Sequence, residues 1–443
     1  MLEAIGAAVH AASNAVWGTF TIALLFGSGI FLSFRYRFVQ VTRLGDAFRN
    51  FRGGPGAAPV AAGTISPFQA FMTGLAASVG TGNIAGVATA IVTGGPGAVF
   101  WIWAYGFFAT VIKLTEAMLA VRFRSKSKEG LAAGPMFYLE QGLGQRWLGL
   151  VYAAIAGVAA MTTTPFTQPN SIAVVFESEL GVPRWICGVA LALLTWMVVI
   201  GGAQKVAAAS EKLAPAMVGI YLVGGLVVIL AFADRLPAVF STIFSQAFSL
   251  EAAGGGAAGT VMMVAVRYGL ARGIYANEAG YGTAAVAYGS AASDRPVIQG
   301  LNGMLEVYIV SFVTSSISAL TILVSGVVGS GATSTTLVAK AFASVIPGGG
   351  LLVLLCALLF GYTTLIGWGY YGEQFLAFLL GNWIVTPYRW IYCGLIVFGA
   401  LTKVELVWAW GDLMNGLQIF PNLVGVLLLS GLVAQMLRED RGA

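Results

Sequence analysis

The sequence predicts an all-α polytopic membrane protein with about eleven transmembrane helices, in a single membrane domain over residues 1–443. Of the 443 residues, 58% are hydrophobic and 9% are charged, whereas soluble domains carry roughly a quarter charged residues. Apolar runs that reach the roughly 20 residues needed to cross a bilayer recur along the chain. Two of these runs are interrupted by glycines and polar residues. At this length only helices satisfy the backbone groups within lipid, so the class is all-α.

The first predicted helix covers about residues 14–34. The segment MLEAIGAAVHAASN before it lacks the basic stretch of a signal peptide. The apolar run ends in Phe-Arg-Tyr-Arg rather than at a small-residue cleavage site. We therefore expect a leading helix that is retained.

Ten further spans follow, each bounded by charges, proline or glycine. A first repeat at about 66–233 contains spans at 66–94, 96–121, 148–176, 184–202 and 213–233. A second repeat at about 258–402 contains spans at 258–290, 298–327, 348–379 and 384–402, and a final helix is predicted at 417–436. Successive spans cross the membrane in alternating directions. Because the first repeat has five spans, an odd number, the second repeat begins from the opposite side, and the two halves run in opposite orientations. Such 5+5 inverted repeats are typical of transporters.

The basic residues predict the orientation, because loops rich in Lys and Arg face the cytoplasm. Sixteen of the 23 Lys and Arg fall on one side and only four on the other. The sixteen are Arg35, Arg37, Arg43, Arg49, Arg52, Arg122, Arg124, Lys126, Lys128, Arg146, Lys205, Lys212, Arg295, Arg389, Arg438 and Arg441. This predicts a multi-pass protein of the cell (inner or plasma) membrane with its N-terminus outside and its C-terminus in the cytoplasm.

The first helix of the first repeat is interrupted at residues 80–86. Glycine disfavours a helix by about 1 kcal/mol relative to alanine, and Gly80, Gly82 and Gly86 lie in the middle of this span. Gly82 and Gly86 also form the GxxxG step of close helix packing. Packing alone does not require Thr81 and Asn83, so a break with a polar binding site is favoured. A phosphate loop is excluded, because no Lys-Ser/Thr follows and the strand context is absent.

The first helix of the second repeat is interrupted in the same way, by Gly273, Asn277, Glu278, Gly280 and Gly282. Amides at the start of a half-helix suit a carboxylate, and carbonyls at the end of one suit a cation. The two breaks together predict a site for a zwitterion with a small side chain.

Ionisable residues at membrane depth have a structural interpretation. Charges inside membrane proteins mostly pair or line an aqueous vestibule, so we expect this of Arg267, Arg272 and a Lys113/Glu116 pair. The role of Glu278 is left open. The three isolated cysteines and the single histidine predict neither a disulfide framework nor a metal centre. No nucleophile, base and orienting group recur at plausible spacing, so an enzyme is not expected.

Five segments resemble the alanine or glycine:cation symporter family, whose members share the leucine-transporter-type fold. The resemblance covers nearly the whole chain. The segments are GTGNIAGVATAIVTGGPGAVFWIW at 80–103, GPMFYLEQGLG at 134–144, NSIA at 170–173, RGIYANEAGYGTAAVA at 272–287 and GWGYYGEQ at 367–374. The resemblance implies sodium-coupled uptake of alanine, glycine or a close analogue, with substrate bound at the two breaks.

By position, the resemblance implies substrate contacts in both breaks and on two other helices. They are Thr81, Gly82, Asn83, Gln168, Gly273, Ile274, Asn277 and Trp368. The chain departs from the family's pattern around Gln168, where Pro165 and Pro169 replace smaller or branched residues. Proline removes amides and bends a helix, so the shape of the pocket is expected to differ here.

The resemblance also implies one sodium site made of carbonyls and hydroxyls. Its members are Ala76, Val79, Phe360, Thr363 and Thr364. Oxygen-only ligation suits a hard cation. The expected partners are thus a small neutral amino acid, Na⁺ and the lipid bilayer, without nucleic acid; the oligomeric state is not predicted.

Two alternatives stay open at this point. One is a proton-coupled transporter of the same fold, in which Glu278, Glu116 or Glu306 carries the proton. The other is a protein that keeps the site without transport, such as a non-transporting amino-acid sensor, or a channel with a continuous pore.

Overall fold

A computed structural model describes residues 2–51, 64–127, 130–250 and 261–442. Arg52, Lys128 and residues 258–260 of a predicted span lie outside the described residues, as does the side chain of Arg441. Apart from one short hairpin, β1 (Ser125–Ser127) with β2 (Gly130–Ala132), the secondary structure of the described residues is helical.

The amino-terminal half of the chain runs from the leading helices to residue 247. Its helices are α1 (Leu2–Val16), α2 (Thr19–Arg35), α3 (Val39–Thr42), α4 (Leu44–Asn50), α5 (Pro67–Ser78), α6 (Ala85–Gly94), α7 (Gly97–Arg122), α8 (Pro135–Phe137), α9 (Arg146–Thr162), α10 (Thr164–Leu180), α11 (Arg184–Val199), α12 (Gly202–Ala231) and α13 (Leu236–Ala247). Two 3₁₀ turns, Thr81–Asn83 and Ala233–Arg235, and a π-helical turn at Tyr138–Gly142 complete it.

The carboxy-terminal half continues with α14 (Val261–Asn277), α15 (Ala285–Gly289), α16 (Pro296–Tyr308), α17 (Ser315–Ser325), α18 (Ser334–Ala343), α19 (Gly349–Leu380), α20 (Val385–Leu401), α21 (Val404–Leu428) and α22 (Ser430–Gly442). A π-helical turn at Ile309–Thr314 joins α16 to α17, and a 3₁₀ turn at Asn382–Ile384 precedes α20.

Among the described residues, seven helices are long and apolar enough to cross a membrane, or nine if each of two bent pairs counts as one span. The shorter apolar helix α11 is an additional candidate. Large apolar side chains such as Leu193 and Met197 are about 60% exposed on the outside of the bundle. The all-α membrane class is confirmed, whereas the count of eleven crossings remains a prediction.

The first predicted discontinuous helix is confirmed. Ser66 begins α5 with a capping box to Gln69, and α5 ends at Ser78. The chain then passes through the 3₁₀ turn and resumes as α6 at an angle of 57°.

The second discontinuous helix is also confirmed. The helix α14 ends at Asn277, and α15 begins at Ala285. Between them Glu278, Gly280 and Gly282 have φ angles of 55°, 98° and 79°. A helix cannot continue through left-handed residues, and glycine takes this conformation without steric cost.

The end of the chain differs from the prediction. The helix α21 begins at Val404 and ends at Leu428, and α22 follows after a bend of 53°. The predicted final span at 417–436 therefore covers parts of two helices. Asp412 and Asn415 make the start of α21 less apolar than its end, which moved the predicted span towards the C-terminus. The helix α12 likewise begins at Gly202 rather than at 213, because its polar first turns are helical too.

Candidate functional site

The two broken helices meet at a narrow cavity inside the bundle. The walls come from the carboxyl end of α5, the 3₁₀ turn after it, α10, α14, the second break, α19 and α21. The lining residues are Ala77, Ser78, Gly80, Gly82, Thr163, Thr164, Gln168, Tyr275, Glu278, Tyr281, Thr364, Trp368 and Asn415. Of the substrate contacts implied by the resemblance, Gly82, Gln168 and Trp368 line this cavity.

Gln168 satisfies backbone and side-chain groups of the first break. Its Oε1 accepts hydrogen bonds from the Thr81 N–H at 3.1 Å and from the Thr81 Oγ1 at 2.9 Å. The amide of Thr81 has no helical partner because α5 has ended, so the glutamine supplies the acceptor that the helix lacks. Thr81 and Gln168 are thus brought together.

The helix that carries Gln168 begins where the sequence places its prolines. The helix α9 ends at Thr162 and α10 begins at Thr164, with Pro165 in the first turn and Pro169 inside α10. Proline suits a first helical turn, whereas inside a helix it removes one backbone hydrogen bond. Asn170 then anchors α10 to α20 by donating to the carbonyls of Gly399 and Thr402.

The glycines of the first break have two different environments. A Cβ at Gly80 would lie 2.7 Å from Thr364 Oγ1, towards the cavity. A Cβ at Gly82 would lie 2.7 Å from the Tyr275 ring of α14, and one at Gly86 would lie 3.6 Å from the Arg272 side chain. Close packing against Tyr275 therefore accounts for Gly82, and close approach to Thr364 accounts for Gly80, whereas a Cβ at Gly86 would make only ordinary van der Waals contact.

Asn83 stabilises the first break from outside the cavity lining. Its Nδ2 donates to the Ser78 carbonyl at 3.0 Å, a group that the end of α5 leaves free. Its Oδ1 accepts from Thr314 and Ser315 at 3.2 and 3.3 Å. These contacts hold the Asn83 side chain against Ser78, Thr314 and Ser315, beside the cavity rather than in its lining.

Gly273, Ile274 and Asn277 lie in the last turn and a half of α14 and do not line the cavity. Gly273 faces α7, where a Cβ would lie 3.4 Å from Ile102. Asn277 caps the break: its Oδ1 accepts from the Ala279 N–H at 3.0 Å, and its Nδ2 donates to Ser311 at 3.1 Å. These contacts are local to the end of the helix, so Asn277 shapes the second break.

Glu278 is the cavity residue whose role the sequence left open. Its Oε1 accepts from the Trp368 indole N–H at 2.7 Å, and its Oε2 accepts from Thr283 Oγ1 at 2.8 Å. The carboxylate therefore faces the cavity in direct contact with Trp368. Glu278 directly follows Asn277, the last residue of α14, and its φ is positive, which is unusual for a residue other than glycine. The turn at the end of the helix therefore places this side chain at the cavity.

A buried ion pair connects the two breaks. Lys113 Nζ lies 3.0 Å from Glu306 Oε1, and both side chains are at most 1% exposed. Lys113 also donates to the Asn277 carbonyl at 3.0 Å, and Glu306 accepts from Ser78 Oγ. Asn277 ends α14 and Ser78 ends α5, so one ion pair holds the carboxyl ends of both half-helices. Tyr288 donates the remaining hydrogen bond to Glu306.

The expected pairing of Lys113 with Glu116 is therefore corrected. Glu116 Oε1 instead accepts from the Gly280 N–H at 2.9 Å and from Asn422 Nδ2 at 2.6 Å. The two residues are three apart on α7, but Lys113 reaches the break end of α14 whereas Glu116 reaches the backbone inside the break. Each residue finds a partner on another helix.

A second ion pair lies beside Tyr275, the cavity residue near the carboxyl end of α14. Arg272 lies 2.5 Å from Asp412 of α21, and its guanidinium stacks over the rings of Tyr275 and Trp408. Arg267 donates to Asn14 Oδ1 at 2.6 Å. The expectation that Arg272 pairs with a charge is confirmed for this part of the chain.

Of the residues implied for sodium, Ala76 and Thr364 meet at the crossing of α5 and α19, whereas the Thr363 hydroxyl also contacts Met217 Sδ of α12 at 3.3 Å. Thr364 Oγ1 donates to the Ala76 carbonyl at 3.3 Å, and Thr363 Oγ1 donates to the Phe360 carbonyl at 3.1 Å. Val79 follows the end of α5, beside Gly80 and Thr364. Carbonyl and hydroxyl oxygens of this kind suit a hard cation. Within the described residues, no group of three or more His, Cys, Asp and Glu side chains could hold a metal ion.

Several cavity residues carried no usable sequence signal. Tyr275, Tyr281, Thr163 and Thr164 are ordinary side chains in apolar segments, and only the fold brings them together. The predicted final span began at residue 417, so it excluded Asn415, and the sequence did not indicate that this residue lies inside the bundle.

Comparison with known proteins agrees with this geometry. Residues 2–441 match the model of the sodium:alanine symporter family. A sodium/alanine symporter of Methanococcus maripaludis is 38% identical over 434 residues, covering 96% of this chain and 95% of the relative. A probable sodium/glutamine symporter of Bacillus subtilis is 35% identical and covers 97% of this chain and 90% of the relative.

Among solved structures, a manganese transporter of Eremococcus coleocola aligns with a TM-score of 0.56 at 16% identity, covering 82% of this chain and 79% of that chain. At this identity the likeness concerns the fold alone. It supports a leucine-transporter-type architecture built around the two breaks.

Proposed function

The chain belongs to the sodium:alanine symporter family, and from this we propose that it carries a small neutral amino acid, alanine or glycine, into the cell together with sodium. It is a membrane transporter and not an enzyme. The observation that carries the proposal is the meeting of two broken helices in one narrow cavity. Alternating access to that cavity would couple the two substrates.

The cavity offers complementary groups to a zwitterion. The first break leaves the backbone amides of Thr81 and Gly82 at the start of the half-helix that follows it. These amides suit the substrate carboxylate, because amides at the start of a helix carry partial positive charge. The carbonyl end of α14 and the Glu278 carboxylate suit the ammonium group. The Thr81 N–H donates to Gln168 in this structure, and an incoming carboxylate would accept that hydrogen bond in place of Gln168.

The narrowness of the cavity favours a small side chain. Trp368 is 2% exposed and lines the cavity together with the rings of Tyr275 and Tyr281. Three aromatic rings around the space between the breaks leave little room for a long side chain. The names of two relatives specify alanine and glutamine as substrates, and of these alanine, with the smaller side chain, fits between the rings better.

For the cation we propose that Ala76, Val79, Phe360, Thr363 and Thr364 bind Na⁺. Thr364 both lines the cavity and bonds to the Ala76 carbonyl, so a cation there would fix the first break in a shape that binds substrate. Binding free energies are reciprocal, so substrate would also strengthen the binding of sodium. One ion falling through 100 mV supplies about 2.3 kcal/mol, and a tenfold gradient adds about 1.4. Together these could sustain roughly 500-fold accumulation of a neutral substrate.

A proton-coupled transporter of the same fold is the second candidate, because the Glu278 carboxylate lines the cavity and could carry a proton. The Asn277–Lys113–Glu306 contacts argue against Glu306 in this role, since its oxygens are already held by Lys113, Ser78 and Tyr288.

Uptake of radiolabelled alanine, glycine and glutamine into proteoliposomes tests the proposal. We expect saturable accumulation of alanine or glycine with sodium outside, but not with potassium or choline, and no loss when a protonophore collapses the proton gradient. Thr364→Val removes one hydroxyl ligand and should raise the sodium concentration for half-maximal uptake by about tenfold or more. Thr195→Val is the matched control, since Thr195 is buried on α11 away from the cavity. Uptake driven by protons alone would support the second candidate instead.

A further inference from the structure

A basic cavity lies at the end of the leading helix, away from the transport site. It is lined by Arg35, Tyr36, Arg37, Gly431, Ala434, Leu437 and Arg438. These residues come from the carboxyl end of α2, the turn after it, and α22. The three arginines are exposed, and the apolar side chains of Tyr36 and Leu437 form the buried base.

Within the part of the chain that the structure describes, Arg35, Arg37 and Arg438 have no acidic partner, whereas neighbouring arginines have one. Arg43 contacts Asp46 and Asp440 at 2.9 and 2.8 Å, and Arg295 contacts Asp440 at 3.1 Å. Among the described residues, no carboxylate lies within ion-pair distance of Arg35, Arg37 or Arg438. Glu439, next to Arg438, accepts a hydrogen bond from Gln435. The cavity therefore concentrates unneutralised positive charge.

Local backbone geometry holds the arginines around the cavity. Arg37 and Phe38 have φ angles of 55° and 53°, an unusual conformation for residues with a side chain. The Phe38 N–H donates to the Ser33 carbonyl at 2.7 Å, which fixes this turn at the end of α2. On α22, a Cβ at Gly431 would lie 3.1 Å from the Arg35 guanidinium. The glycine leaves the space that Arg35 occupies.

Apolar side chains flank the charges on the outside of the bundle. Phe31 and Phe34 of α2 are 46% and 67% exposed, and the Arg35 guanidinium lies 5.6 Å from the centre of the Phe31 ring. Exposed rings within about one helical turn of a cationic cavity match a ligand that has an anionic head and an apolar tail. A soluble anion has no apolar part to pack against these rings.

We propose that this cavity binds the phosphate headgroup of an anionic phospholipid, with the acyl chains along Phe31 and Phe34. Basic pockets between membrane helices are suited to such headgroups, and arginine binds phosphate through two parallel hydrogen bonds. A bound headgroup would join the carboxy-terminal helix α22 to the leading helix α2. The proposal does not depend on the substrate or on the coupling ion.

The test is equilibrium binding of a fluorescent phosphatidylglycerol to the purified full-length protein in neutral detergent micelles. Each basic residue near an anionic lipid contributes about fivefold in affinity. The triple variant R35Q/R37Q/R438Q should therefore bind about a hundredfold more weakly. R35K/R37K/R438K keeps the charge but loses the paired guanidinium hydrogen bonds, so it should bind more tightly than the glutamine variant and more weakly than the unmodified protein. Phosphatidylcholine should compete poorly with the fluorescent lipid.

The charge-matched control is R49Q/R122Q/R146Q, which removes three exposed arginines outside the cavity. It should bind phosphatidylglycerol within a few fold of the unmodified protein. If both triple variants lose affinity equally, the effect is general surface charge and the proposal is overturned. It is also overturned if inorganic phosphate alone competes as well as the lipid, because the site would then take a soluble anion. Thermal unfolding of each variant verifies that the fold is retained.

Discussion

Gly80 is the residue at which the first break comes closest to α19. A Cβ there would lie 2.7 Å from Thr364 Oγ1 and 3.3 Å from Gln168 Oε1. Both neighbours are held by other hydrogen bonds, Thr364 to the Ala76 carbonyl and Gln168 to Thr81. One added methyl group would therefore disturb the proposed sodium ligands and the proposed substrate contact together.

We expect Gly80→Ala to lower alanine uptake at least about tenfold, since relieving the overlap costs roughly 1–3 kcal/mol in a packed interior. Gly394→Ala on α20 is the matched control, because nothing lies within 4 Å of a Cβ at that helical position. The measurement is initial uptake rate in proteoliposomes at equal protein content. Full activity of Gly80→Ala would show that the break opens more widely at this point than the structure indicates.

Residue types alone predicted where the break is but not what each residue contacts. Thr81, Gln168 and Trp368 were expected near the substrate, and the structure brings Thr81 to Gln168 and Trp368 to Glu278. Asn83 and Asn277 were expected in the same role but bond to backbone and hydroxyl groups beside the breaks. A polar side chain at a helix break can face the ligand or cap the helix, and the sequence does not distinguish the two.

At the scale of helices, the Lys113–Glu306 pair joins four elements: α7 and α16, which carry the charges, and α5 and α14, whose ends they hold. The lysine stands at the carboxyl end of α14, where a cation is favoured by the helix dipole. Removing one member of a buried pair leaves the other charge uncompensated, which typically costs about 3–5 kcal/mol.

We therefore expect Lys113→Met to destabilise the folded protein by about that amount. The double variant K113M/E306Q should recover part of the loss, because neither charge of the pair remains and glutamine can still accept hydrogen bonds. Thermal unfolding in detergent micelles measures both. Glu177→Gln is the control, since its pair with Arg184 is 47% and 32% exposed and such pairs contribute about 0–1 kcal/mol. A Lys113→Met variant as stable as this control would mean that the pair does not hold the broken helices.

The elements themselves were predictable where one physical signal dominated. Glycine clusters inside apolar runs located both breaks, and most helix ends fell within a few residues of the predicted bounds. The final helix was misplaced because hydropathy locates residues that contact lipid. Asp412 and Asn415 are polar but lie inside the bundle, where Asp412 pairs with Arg272 and Asn415 lines the cavity, so the first turns of α21 were not recognised. The partner of Lys113 was missed because Glu306 lies on a helix distant in sequence, and only the fold brings the two together.

For the whole molecule, the distribution of Lys and Arg predicts the orientation in the membrane, with the C-terminus in the cytoplasm. Glu439 is exposed on α22, and Ser330 is exposed in the loop between α17 and α18. The predicted crossings place these two positions on opposite sides of the bilayer. The three native cysteines are all buried, so they give little background to a thiol reagent.

We expect Glu439→Cys in intact cells to resist a membrane-impermeant maleimide until the membrane is permeabilised, and Ser330→Cys to react at once. The physical reason is the free-energy cost of moving charged loops across the bilayer, which leaves the more basic side within the cell. Labelling of both variants after permeabilisation is the control for accessibility. If Glu439→Cys were labelled from outside and Ser330→Cys only after permeabilisation, the orientation would be reversed. The cavity, the breaks and the ion pairs would be unchanged, but Arg272 and Asp412 would then lie on the cytoplasmic side of the proposed substrate.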